Sequence, residues 1–346
     1  MIRYSCFFRS PLGGVGGAIL KRGAAGCLRR GGSGSSPTSF CWRAGARGRL
    51  PPLYLTLILT LFLFLLSCKQ NTSTINDNAA LRIISFAPSI TEILYELGLD
   101  ENLYGVTQFC KYPAQVSQKS KIGGFTDPNY EAVLRLKPNL VIMLKDNHTL
   151  TKFLDKNSIR HISVGNDSVS EIIESVLTIA KACNAISKGD SLVKRLRLQL
   201  EIPPANVYNR PKVLLCVGRD NPGSGSVSKS FAAGSASFYN QIIEAAGGVN
   251  VFNDISQSYP SISSEALIRF NPDIIIDISA AYMNPNLDEK TVCDDWEMFK
   301  NVSAVKNGEV HCLFGDYLTV PGPRLAMAAE RFKSIISSWV KKNAGA

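Results

Sequence analysis

The first 67 of the 346 residues contain no aspartate or glutamate, yet they carry nine lysines and arginines. The rest of the chain therefore holds 29 basic residues against all 28 acidic ones, and the sequence pI near 9.1 reflects the leader. A nucleic-acid-binding role, which needs a basic working domain, is excluded on that balance. Histidine is scarce: His148, His161 and His311 stand far apart, no HxxxH occurs, and no two cysteines have CxxC spacing. Direct zinc or manganese binding needs clustered ligands, so no metal site is expected. Long apolar runs are missing too. The Leu-rich stretch Leu53 to Leu66 has 14 residues, short of the roughly 20 that a membrane-spanning helix requires. Gly218 to Gly223 begins like a phosphate loop, but Ser224 follows where lysine is needed. Gly223 to Ser226 lacks the GxSxG spacing, and no ordered Ser, His and Asp suggest a hydrolase, so no enzyme activity and no catalytic residue are expected.

What is present begins with that 14-residue stretch, which fits the apolar core of an export signal. Leu65-Leu66-Ser67-Cys68 follows at once and resembles the bacterial lipobox, in which the cysteine is lipidated. A buried or membrane-embedded Cys68 is the plainer alternative, but the polar run Lys69 to Asn78 reads as a solvated tether. Residues 1–67 are thus a leader and 68–80 a tether, and Cys68 would hold the protein at an extracytoplasmic membrane face with no helix crossing it. Residues 1–49 are too long and too rich in Gly, Arg and Ser for an ordinary signal. A wrongly assigned start or a disordered extension would each give that composition. Beyond the anchor remain Cys110, Cys183, Cys216, Cys293 and Cys312, an odd number. One bridge is open to them in an oxidising compartment, and its pairing stays open.

From Leu81 onward, short β-branched runs alternate with amphipathic helices, which predicts an α/β fold with mainly parallel sheets. Strands are expected at Arg82 to Phe86, Leu140 to Leu144, His161 to Val164, Val213 to Val217, Ile274 to Ile278 and Val310 to Phe314. Ser89 with Glu92, and Ser168 with Glu171, have the spacing of capping boxes, and Gly98 marks a helix stop. An internal repeat is more informative. Glu131 to Ile142 aligns without gaps to Glu265 to Ile276, and each copy reads as a short helix that stops before a proline and enters a buried strand. Two similar lobes are expected, residues 81–185 and 207–342. Residues 186–206 between them contain a long α-helix, with Leu192, Val193, Leu196 and Leu200 on one face and Pro203-Pro204 after it. A helix closes its own backbone hydrogen bonds, so a helical joint predicts small hinge motion and a preformed cleft.

Several segments, in order, resemble the class III (helical-backbone) periplasmic binding proteins of ABC transporters, in the branch of cobalamin-binding proteins and iron-siderophore or haem receptors. They are Arg82 to Glu92, Gly105-Val-Thr107, Tyr112-Pro113, Gly123 to Asn129, Leu136 to Val141, Gly247 to Asn250, Asn271 to Asp273 and Pro321 to Arg324. The resemblance covers about residues 81–342. It implies a monomer that is not an enzyme, binds a small molecule between its lobes and hands it to a permease dimer with ATPase subunits. By resemblance, cobalamin binders line the cleft with aromatic rings, and the matching positions are Phe109, Tyr112, Phe125 and Tyr317. Phe125 and Tyr317 stand where that pattern has tryptophan. Ordinary core packing accounts equally well for Phe109 and Tyr112. The expected ligand is cobalamin or another corrinoid, whose broad apolar faces suit flat aromatic contact, with no cofactor of the protein's own. Arg219, just after a strand, suits an anionic ligand group, and a surface ion pair would explain it as well. The resemblance makes Glu131 and Glu265 exposed carboxylates that pair with permease arginines. Each also follows a candidate cap, Asn129 or Ser263, and would favour a positive helix end.

Overall fold

The computed structural model describes residues 81–200, 210–279 and 287–344, all of which belong to one compact unit. Cys68, the leader, the tether and Pro203-Pro204 lie outside the described residues. In the N-terminal half, β1 (Ile83–Ser85), α1 (Pro88–Glu96), β2 (Leu103–Val106), β3 (Ser120–Lys121), α2 (Tyr130–Arg135), β4 (Leu140–Leu144), α3 (His148–Lys156), β5 (His161–Val164) and α4 (Val169–Ala182) follow one another. Their strands form a fully parallel sheet in the order β3-β2-β1-β4-β5. Alternation along the strands sends Ile83, Leu140 and Ile142 to one face and Ile84, Val141 and Met143 to the other, and both faces are buried by helices.

Next comes α5 (Ile186–Leu200), a helix within the 186–206 stretch. It packs along α4 so closely that a Cβ on Gly189 would meet the Ala180 side chain at 2.4 Å. Leu192, Val193 and Leu196 join the core of the first sheet, and burial of such a side chain contributes about 1.5–3 kcal/mol.

The C-terminal half contains β6 (Lys212–Asp220), β7 (Ser228–Ala232), α6 (Phe238–Ala245), β8 (Val249–Asn250), β9 (Ser261–Ile262), α7 (Ser264–Phe270), β10 (Ile274–Asp277), α8 (Glu289–Asp294), α9 (Ser303–Lys306), β11 (Val310–Cys312) and α10 (Leu325–Asn343). Strands β8, β10 and β11 run parallel to their partners, whereas β6 folds back on β7 and β7 on β9 in antiparallel pairs. This sheet is therefore mixed, and the hairpin lies in the stretch from Gly218 to Ser226 that is rich in turn-forming glycine, serine and proline.

The repeat seen in the sequence returns atom by atom. Asn129 caps α2 by accepting from Ala132 N at 2.9 Å, and Ser263 caps α7 by accepting from Ala266 N at 3.0 Å. Before Pro138 and Pro272, Lys137 (φ 47°) and Asn271 (φ 43°) take the left-handed conformation that ends each helix. The side chains of Asn139 and Asp273 then accept from Arg82 N and Lys212 N, each at 2.8 Å, tying each turn to the first strand of its own sheet. The Arg82 Nε and Lys212 Nζ groups donate to Leu136 O and Phe270 O, both at 3.1 Å.

One helix start differs from the sequence expectation. α1 begins after Ala87 with Pro88 in its first turn and has no side-chain cap, so Ser89 and Glu92 form no capping box. At α4 the expected pair does form: Ser168 Oγ accepts from Glu171 N at 3.2 Å, and the Glu171 carboxylate accepts from Asp167 N at 3.0 Å. At the end of α1, Gly98 (φ 65°) donates to Tyr95 O and Leu99 to Leu94 O, the two bonds that close a helix with a left-handed residue.

Candidate functional site where the two sheets face each other

In a parallel sheet the loops after the strand C-termini gather along one edge. Here those loops are 107–119 after β2, 122–129 after β3 and 313–324 after β11. The first two are tied together, because Gln108 N donates to Gly123 O at 3.0 Å and the Phe109 ring packs on Gly124. Phe125 follows, half-buried, and its carbonyl accepts from Asn147 Nδ2 at 2.7 Å. In the third loop, Tyr239 Oη donates to Leu318 O at 2.6 Å and fixes the segment from beneath. The Tyr317 ring folds back over Gly315, where a Cβ would lie 2.4 Å from the ring.

The two halves meet at Arg324. Its Nη2 donates to Glu92 Oε1 in α1 at 2.6 Å, its Nε to Glu92 Oε2 at 3.0 Å, and its Nη1 to Asp316 Oδ1 at 2.6 Å. The guanidinium also lies 4.0 Å from the centre of the Tyr112 ring, a cation–π distance. Gly322 sits close above Ser89 in α1, where an added Cβ would be 3.3 Å from Ser89 Cα. A second tie joins Val169 N to Gln241 Oε1 at 2.7 Å, and Ile172 of α4 belongs to the core of the second sheet. The structure thus places Tyr112 where the halves adjoin, with 46% of its surface exposed, and gathers Phe109 and Phe125 on the neighbouring loops. The surface grooves lined by Leu177 to Leu198 and by Lys145 to Thr178 contain none of the predicted rings.

Arg219 requires a correction. Its place after a strand suits an anionic ligand group or a surface ion pair, but its side chain and both of its ion pairs are buried within the second half. Nε donates to Asp277 at 2.8 Å, Nη1 to Asp295 at 2.6 Å and Nη2 to Val292 O at 3.0 Å. Trp296 Nε1 also donates to Asp277 at 2.9 Å, and Gly223 N to Asp295 at 2.6 Å. Burial opposes the Arg219 charge, and the two carboxylates outweigh it, holding the guanidinium firmly protonated. The guanidinium is wholly enclosed, so it does not face a ligand. The groups that sequence reasoning missed are Glu92, Asp316 and Arg324. Arg324 closes the Pro321 to Arg324 segment, and Glu92, 232 positions away, has the spacing of a capping residue after Ser89.

Glu131 and Glu265 occupy equivalent places, each exposed at the second position of its helix behind its cap. Three residues on, Leu134 and Ile268 are 43% and 58% exposed, and Arg135 and Arg269 follow them.

Residues 83–315 match the family model of the periplasmic binding proteins. The chain belongs to the periplasmic binding protein family. Such proteins bind solutes for transport and are not enzymes. One relative is an uncharacterized ABC transporter substrate-binding lipoprotein, YvrC, of Bacillus subtilis, 28% identical over 74% of this chain and 79% of its own. A cobalamin-binding protein of Halobacterium salinarum is 24% identical over 74% of this chain and 69% of its own. Among solved structures, the periplasmic heme binding protein HutB of Vibrio cholerae covers 74% of this periplasmic binding protein and 99% of its own chain, at 19% identity and a TM-score of 0.64. That likeness establishes the two-lobed fold. Among the described residues no helix is long and apolar enough to cross a membrane.

Two outcomes are expected of these ion pairs. Replacing Arg219 with methionine strands two buried carboxylates and should cost about 3–5 kcal/mol in a denaturant titration; a cost below about 1 kcal/mol would contradict the buried role. On acidification, Glu92 and Asp316 should titrate in a fixed order. Burial raises the Glu92 pKa above 4.5 against the pull of Arg324, while the hydrogen bonds from Arg324 hold Asp316 below 3.8. By linkage, the Asp316 contribution to stability is present above 3.8 and is lost as pH falls through its lower folded value. That of Glu92 is fullest below 4.5 and declines as pH rises through its raised value. Carboxyl-carbon NMR should find the Glu92 midpoint above that of Asp316, and the reverse order would refute the assignment.

Proposed function

We propose that this periplasmic binding protein is the lipid-anchored solute-binding component of an ABC importer and that its cargo is a cobalamin-like corrinoid held between the lobes. The names of the Bacillus and Halobacterium relatives support the transporter role and the cargo respectively. The observation that carries the reading is the exposed Tyr112 ring where the two sheets adjoin, with Arg324 over it. A corrin offers a broad apolar face for Tyr112, Phe109, Phe125 and Tyr317, and its peripheral amides suit a few polar groups on the same loops. Haem is the second reading, and it rests on the same residue. Iron porphyrin needs an axial donor, and the Tyr112 phenol beside a guanidinium is a suitable one. An iron siderophore would use the same cleft with more cationic groups.

Lipidation of Cys68 would tether the protein to the extracytoplasmic face of the membrane. Delivery would then use the repeated surface of Glu131 with Leu134 and Glu265 with Ile268. A two-fold permease dimer needs one complementary patch from each lobe, and an exposed apolar residue beside each carboxylate supplies contact area that a cap does not require.

Calorimetric titration with cyanocobalamin and with haem tests the cargo. Binding of the corrinoid at or below about 10 µM is expected, and Tyr112→Ala should weaken it about tenfold, through loss of about 1.4 kcal/mol of ring contact. Silence toward every corrinoid by folded protein would remove that cargo, and binding of haem alone would leave the second reading. Reversing both charges, Glu131→Arg with Glu265→Arg, should leave solute affinity unchanged and lower stimulation of the permease ATPase about tenfold or more. Unchanged stimulation would remove the docking role.

A further inference from the structure

Of the five described cysteines, two are brought together by the fold. Cys293 lies in α8 and Cys312 ends β11, and α8 packs against that strand. Both sulfurs lie in one small apolar cluster with Val292, Leu287, Val310 and Phe314, and Cys293 Sγ donates to Val310 O of β11 at 3.7 Å, two residues before Cys312. The other thiols are placed elsewhere. Cys110 lies 3.2 Å from both Thr91 and Thr107 in the first half, and Cys183 is in the core of that same half. Cys216 is separated from Cys312 by β10, whose Asp277 stands in register between them, and two strand spacings exceed the reach of a disulfide.

We infer that Cys293 and Cys312 form a reversible disulfide that fastens the segment between α8 and β11 to the second sheet. Cys293 is the half-exposed member and its neighbour is buried. Being the more accessible of the two, Cys293 is the sulfur an oxidant meets first, and the neighbouring Cys312 thiol favours its thiolate. With a small disulfide such as glutathione disulfide, the Cys293 thiolate attacks one sulfur and one glutathione thiolate leaves. Cys312 then gives its proton to solvent and attacks the Cys293 sulfur of the mixed disulfide, releasing the second glutathione. Two protein thiols lose two electrons and two protons, and the glutathione disulfide is reduced to two thiols.

The closed loop would include Asp295 and Trp296, which hold Arg219 and Asp277, and it ends just before the Gly315 to Arg324 rim that carries Tyr317. The bond would therefore stiffen the support of one side of the cleft. Its occurrence in the cell rests on the extracytoplasmic location proposed above, but its formation in the purified protein does not depend on any ligand.

The test uses the full chain equilibrated with glutathione disulfide, blocked with N-ethylmaleimide and digested with trypsin. Peptides 291–300 and 307–324 should be recovered joined, lighter than their sum by two hydrogen atoms. Cys293→Ala should lower the oxidised Tm by about 5 °C and leave the reduced Tm nearly unchanged. Recovery of both peptides singly alkylated, a lasting glutathione adduct on Cys293, or linkage of either residue to another cysteine would overturn the inference. None of these results would bear on solute binding.

Discussion

The arrangement depends on the shared guanidinium of Arg324. One side chain bonds a carboxylate of each half, Glu92 and Asp316, while its flat face covers Tyr112. Buried charge is costly unless each partner is satisfied, and the Glu92 carboxylate is nearly inaccessible. The pair therefore has one arrangement that satisfies it, with the strand ends of both sheets turned toward each other. The close approach of Gly322 to Ser89 and the Val169–Gln241 bond complete that alignment. On the reading proposed above, a flat solute would be gripped between these fixed points.

Duplication explains why two halves of different length share one geometry. A short helix enters a buried strand through a left-handed residue and a proline, and an amide or carboxylate just beyond fastens the turn to the first strand. The unit is locally determined, so it survives wide divergence around it. The second half has an added antiparallel hairpin and a buried Arg–Asp network where the first has only parallel strands. Equivalent exposed residues on both units, Glu131 with Leu134 and Glu265 with Ile268, are what a two-fold partner would find on either side.

Much of this was readable before any coordinates. Buried parallel strands are continuous apolar runs, so β4, β6 and β10 stand out, while β3 and β9, two residues each, carry too little pattern to show. The second half being mixed was hidden because β7, Ser228–Ala232, is partly exposed and polar. Side-chain roles were less legible. Glu92 fitted a capping spacing after Ser89, but Pro88 starts the helix without a cap and frees the carboxylate for a partner 232 residues away. Arg219 follows a strand, where ligands are often met, yet the strand continues through it to Asp220 and turns its side chain inward to Asp277 and Asp295. Spacing along the chain records local bonds, and it does not record which distant carboxylate a cation will reach.

Hydrogen–deuterium exchange with bound solute tests the central claim, that cargo sits between the facing strand ends. For whichever of cyanocobalamin and haem binds, slowed exchange should appear together in residues 107–113 and 122–129 of one half and 313–324 of the other. Protection confined to one half, or to the outer faces of α4 and α5, would contradict it.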